Sequence, residues 1–99
     1  MQDKSNIDFE NIRRMNEIAE VYEITGQDKK AERYHKNIIK LCDRHPKNER
    51  LLQCKIHSLN HLKKPYKSLE TTNDLLNMNP HNMMALFNII KYLKEESHV

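Results

Sequence analysis

The chain has 99 residues, enough for one domain at most. Hydrophobic residues make up 37% and charged residues 31%, so the surface is heavily solvated and the core modest. A formal charge of +3 comes from 17 basic and 14 acidic residues with no long basic run, which makes nucleic acid an unfavoured partner, and no run approaches the roughly 18 apolar residues of a membrane span.

One Gly and three Pro are few for a chain that turns often, so long helices with short connections are expected instead of a β-sandwich. Two Cys among many amphipathic positions suit a reduced cytoplasmic protein and not a disulfide scaffold. The start, Met1-Gln2-Asp3-Lys4, lacks the apolar core of a signal peptide.

Residues 1–6 are polar and expected to fray, with Ser5 or Asp8 as the first helix cap. Ile12, Met15, Ile18, Ala19 and Tyr22 then recur at helical spacing. Gly26 stops this helix, at a position where a left-handed residue is wanted. Asp28 is the expected cap of a second helix, with stripe Ala31, Tyr34, Ile38, Leu41 and Cys42, ending before Pro46. Asn48 caps a third helix carrying Leu52, Ile56 and Leu59, flanked by Leu51 and Leu62. Pro65 opens a fourth, with Tyr66, Leu69, Thr72, Leu75 and Leu76 on or near its buried side. Asn82 caps a fifth, from Met83 to about Glu95. Five helices joined by a few residues each run antiparallel to their neighbours.

Pro46 and Pro80 lie 34 positions apart, and an Asn stands two residues after each. Two helix-length patterns separated by Lys63-Lys64-Pro65 lie between them, the spacing of a helical-hairpin repeat. The pattern resembles the tetratricopeptide repeat. The first unit offers Met15, Ile18, Ala19, Tyr22, Gly26, Ala31 and Pro46; the second offers Leu52, Ile56, Leu59, Ser68, Leu75 and Pro80; a half-unit offers Leu86, Ile89, Ile90 and Leu93. The resemblance implies an all-α solenoid in one domain. Its parts are a repeat over about residues 10–46, a second over about 47–80, and a C-terminal half-repeat over about 82–96. Small residues at Ala31 and Ser68 let paired helices cross closely. Three features depart from the pattern. Lys63 stands where the second turn would have Gly, and Ile56 occupies a family-small position. Tyr22 to Leu59 and Ala31 to Ser68 are spaced by 37, which places three extra residues between Ile39 and Pro46. The second helix is thus predicted to exceed the fourth by about one turn.

By helical phase, the inner face should carry Arg13, Asn16, Glu20 and Glu23 from the first helix. Arg50, Gln53, His57, Asn60 and His61 would come from the third, and Met84, Phe87, Asn88 and Lys91 from the fifth. Such a face suits an extended peptide: Asn, Gln and His donate and accept, Arg meets carboxylates, and Phe87 with Met84 forms an apolar pocket. The resemblance therefore implies a protein–protein adaptor or scaffold without catalysis, a reading that fits the absence of a phosphate loop or nucleophile motif. The basic residues with which some family members clamp a C-terminal carboxylate are missing at Asn16, Glu20, Cys54, Met84 and Asn88. Apolar residues cover over half the circumference of the fifth helix, which suggests an interface with a partner or a second copy.

Cys54, His57 and His61 fall on one helical face with ligand-like chemistry, and only His81 or Cys42 is available as a fourth ligand. The expected reading is a half-buried Cys beside two polar histidines, with no metal or cofactor. Alternative functions are an RNA-binding helical repeat, disfavoured by Glu20 and Glu23, and a chaperone-like subunit that shields a client segment.

Overall fold

The computed structural model describes residues 3–96. Five helices follow one another: α1 (Lys4–Ile24), α2 (Asp28–Cys42), α3 (Glu49–His61), α4 (Pro65–Met78) and α5 (Met83–Glu96). Each packs on the next, α1 also touches α3 directly, and an Asn60–Asn88 hydrogen bond joins α3 to α5, so the odd-numbered helices neighbour one another along one side of the array. The result is a thin slab of 44 × 36 × 17 Å. The described residues contain helices and turns alone, so the expected all-α architecture of five helices is what the chain adopts.

Two apolar clusters hold the slab together. Ile12, Ile38, Cys42 and Leu51 join α1, α2 and α3, with Phe9, Met15, Leu41 and Cys54 packed around them. Leu52, Ile56, Leu75 and Ala85 join α3, α4 and α5, with Leu76 and Met84 against them. Ala31 and Ser68, the small residues of the two hairpins, are both buried. The stripes err at their edges: Ile18 is 39% exposed and Tyr66 74% exposed. Tyr66 stands in the first turn of α4, where its ring meets Tyr92 of α5 edge-on from outside the core.

The caps show where local signals suffice. Asn48 Oδ1 accepts from the Leu51 amide, and Asn82 Oδ1 accepts from the Ala85 amide, as expected. Pro65 occupies the first turn of α4. Two expected caps fail. Asp28 lies inside α2, whose N-cap residue is Gln27 without a side-chain cap bond. Neither Ser5 nor Asp8 caps α1; Asp3 does, accepting from the Ser5 amide at 3.0 Å. Residues 4–6 are therefore helical and not frayed, while residues 1 and 2 lie outside the described range. The reason is tertiary. Asp8 is buried and accepts a 2.7 Å hydrogen bond from His45 Nε2 in the α2–α3 connection, which anchors the first turns of α1.

The predicted extra turn in α2 is also absent: α2 has 15 residues and α4 has 14. The other two residues of the three-residue excess enlarge the connection, which spans 43–48 after α2 and only 79–82 after α4. That longer connection brings His45 to Asp8.

Both hairpins turn in the same way. Gln27 N–H donates to Tyr22 C=O, and Lys64 N–H donates to Leu59 C=O, the six-to-one bond of a Schellman end. The left-handed residue is Gly26 (φ 77°) in the first and Lys63 (φ 56°) in the second. Lys63 thus fills the backbone role of the missing glycine and bears the steric cost that a Cβ brings there. Urea unfolding should find Lys63→Gly more stable by up to about 1 kcal/mol and Gly26→Ala less stable by about 1 kcal/mol. No atom lies within 4 Å of a Cβ built at Gly26, so the second effect would be backbone strain alone.

Candidate functional site

The side shared by α1, α3 and α5 divides into three zones. At the first, the stripe of α2 carries a histidine: Ala31, His35, Ile38 and Cys42 follow at spacings of four, three and four, and all are buried. His35 points between α1 and α3. Its Nδ1 meets Ser58 Oγ at 3.0 Å, and its Nε2 meets Glu23 Oε1 at 3.0 Å. The other carboxylate oxygen of Glu23 meets His61 Nδ1 at 2.9 Å. His35 and His61 stack at 4.7 Å between ring centroids, and His57 tilts against His61 at 4.5 Å. One carboxylate, three imidazoles and a buried hydroxyl are thus drawn together from three helices. Glu23, His35 and His61 border an open cleft of about 400 Å³ that Asp28, Glu32 and Lys63 also line.

The electrostatics follow from this packing. Burial pushes the Glu23 carboxyl upward, but the hydrogen bonds from His35 and His61 outweigh it and hold it below the usual value. His57 is pushed the other way from a free histidine: loss of water and then the neighbouring His61 and His35 rings disfavour its cation.

The second zone lies between α3, α4 and α5. Asn60 Nδ2 donates to Asn88 Oδ1 at 2.9 Å, Ser68 Oγ donates to Asn60 Oδ1 at 2.6 Å, and Asn88 Nδ2 donates to Ser68 Oγ and to Thr72 Oγ1. Asn60 and Asn88, expected to meet a peptide, thus spend their amides binding helices to one another. Glu49 performs a similar task at the other end of α3, where its carboxylate accepts from Asn79 and Asn82.

The third zone is the outer side of α5. Met83, Leu86, Phe87, Ile90 and Leu93 are all exposed, Phe87 at 61%, while Ala85 is the one residue of the helix fully buried. Met84 packs partly buried against the second apolar cluster, whereas Phe87 is exposed.

The remaining inner-face residues have separate surroundings. Arg13 pairs with Glu10 at 3.4 Å, both exposed. Arg50 lies over the Phe9 ring, 3.7 Å from its centroid, which fixes its head against α1. Glu20 and Lys91 are exposed, and Gln53 is half-buried. Asn16 is half-buried, and its Oδ1 is the one fully buried side-chain polar atom without a hydrogen bond among the described residues. Cys54 does not join His57 and His61 as a ligand set; it packs on the α1–α2–α3 cluster. The residues missed in the sequence are His35 and Ser58, although the four-three-four register of His35 within an apolar stripe was a readable signal.

Comparison with protein-family models, with curated proteins and with solved structures returned no match to the chain.

Two predictions follow from these zones. Asn88→Ala leaves the Asn60 and Thr72 partners short and should cost roughly 1–3 kcal/mol in urea unfolding. Asn16→Leu removes an unpartnered acceptor and should be neutral or stabilising. The thiols give a second test. Burial pushes Cys42 up to about 12, with Cys54 and Asp43 adding to the shift, and burial also raises Cys54 against the pull of Arg50. Iodoacetamide at pH 8 should label both only after unfolding, because the thiolate is the reactive form.

Proposed function

We propose that this chain is a non-catalytic protein–protein interaction module, an adaptor or scaffold of the tetratricopeptide-like kind, whose α5 receives a helix from a partner protein. The observation that carries this reading is the exposed apolar row of Met83, Leu86, Phe87, Ile90 and Leu93 on a helix packed only on its other side. Such a row marks an interaction surface more often than a plain solvent face. The array itself supplies the occupant's shape. Every earlier helix is followed by an antiparallel one that covers it, and a partner helix laid along α5 would extend the same packing. Leu86, Ile90 and Leu93 at spacings of four and three match the ridges such a helix would seat between.

The inner face supports a smaller role. Arg50, Asn60 and Asn88 are already engaged within the fold, while Arg13, Glu20, His57, His61 and Lys91 are its exposed polar groups. We place the affinity on α5 and assign the inner face to orientation. No helix among the described residues is long and apolar enough to cross a membrane.

Affinity capture from the native cell, followed by lysine cross-linking and mass spectrometry, tests this. Partner cross-links are expected at Lys91 and should disappear in Phe87→Glu/Leu93→Glu with the fold intact. Partners that cross-link to α2 or α4 and survive the double substitution would overturn the assignment.

A further inference from the structure

The carboxylate and two imidazoles at the α1–α2–α3 junction form a donor set that the interaction surface does not use. Glu23, His35 and His61 each present one ligand atom, and these three atoms lie within 4.8 Å of one another; no other such group of three occurs among the described residues. We propose that Glu23, His35 and His61 bind a divalent transition-metal ion of the zinc type, which pins α1, α2 and α3 together at the mouth of the cleft.

The chemistry of the set fits that ion. Two imidazoles with one carboxylate are nitrogen and oxygen donors of the kind zinc accepts, and three protein ligands leave a fourth position for water. Bonds of about 2.0–2.1 Å to neighbouring corners of a tetrahedron separate donors by about 3.3 Å. Glu23 meets His35 through Oε1 at 3.0 Å and His61 through Oε2 at 2.9 Å, and with one oxygen as ligand the three donor atoms lie within 4.8 Å of one another, so an ion is admitted when side-chain rotation draws them to that spacing.

The surroundings are built to hold the ligands. His35 is 97% buried (3% exposed), and its second ring nitrogen rests on Ser58 Oγ, itself fully buried. A serine hydroxyl either donates or accepts, so it supports the imidazole whether Nε2 carries a proton toward Glu23 or a metal bond. His61 is partly exposed and opens toward the cleft, which provides an entry path. The three ligands come from three helices, so the ion ties segments 38 residues apart in sequence. Cys54 is no part of the set, which distinguishes this site from a Cys-x-x-His-x-x-x-His arrangement along α3.

The test uses the full chain after chelator treatment. Calorimetric titration with zinc should give one ion per chain, and zinc at a hundred times Kd should raise the melting temperature by roughly 10 °C or more. Glu23→Gln and His61→Ala, both at partly exposed positions, should each weaken binding at least tenfold while remaining helical; His81→Ala, a surface control, should not. Cobalt(II) should give visible bands without a thiolate charge-transfer band. Absence of stoichiometric binding, binding that survives the Glu23→Gln/His61→Ala double variant, or a thiolate band would each overturn the proposal.

Discussion

A helix in a stacked array is stable only where other helices cover its apolar faces, and this requirement organises the whole molecule. The slab is 17 Å thick along its shortest axis, so its core consists of seams and not of a central mass. The α1–α2–α3 seam closes around Ile12, Ile38 and Leu51, and the α3–α4–α5 seam around Ile56 and Leu75. Both depend on α3, the one helix shared by the two clusters. Beyond α5 no further seam forms among the described residues, and the apolar row on its outer side is the remainder.

Seams this narrow cannot be filled by hydrocarbon alone. Ser58, Ser68, Thr71, Thr72 and His35 are all buried, and all of these but Thr71 take part in side-chain bonds between helices. Satisfied networks of this kind specify register, because a one-residue slip would leave several buried groups without partners. The Asn60–Ser68–Asn88–Thr72 group fixes α5 on the α3–α4 hairpin, while the Glu23–His35–His61 group fixes α1 and α2 against α3. Much of the inner face therefore faces inward in function as well as in position.

The fold was legible where its signals were local. Gly26, Asn48, Pro65 and Asn82 punctuate the chain within a few residues of the events they control, and all four act as read. The long-range contacts were not legible. Helical phase grouped Glu23, Asn60, His61 and Asn88 on one face but could not reveal that they meet one another, His35 or α4, because periodicity carries no register between helices. Asp8 was misread as a cap because its true partner, His45, lies 37 residues away. Lys63 shows the converse: the turn geometry imposed a left-handed residue where the sequence supplies no glycine. The apolar excess of α5 was visible from the sequence, yet helical phase did not separate Met84, which packs on the second apolar cluster, from Phe87, which stays exposed.

The central claim is that α5 is a half-covered helix whose outer face awaits a partner. Hydrogen–deuterium exchange of the free chain at low micromolar concentration measures this most directly, since local opening tracks how well each helix is covered. The α5 amides should exchange many-fold faster than those of α3, with Ala85 and its immediate neighbours the slowest within α5. Protection of α5 equal to that of α3 would mean that its outer face is already buried in the free protein, and the account would be contradicted.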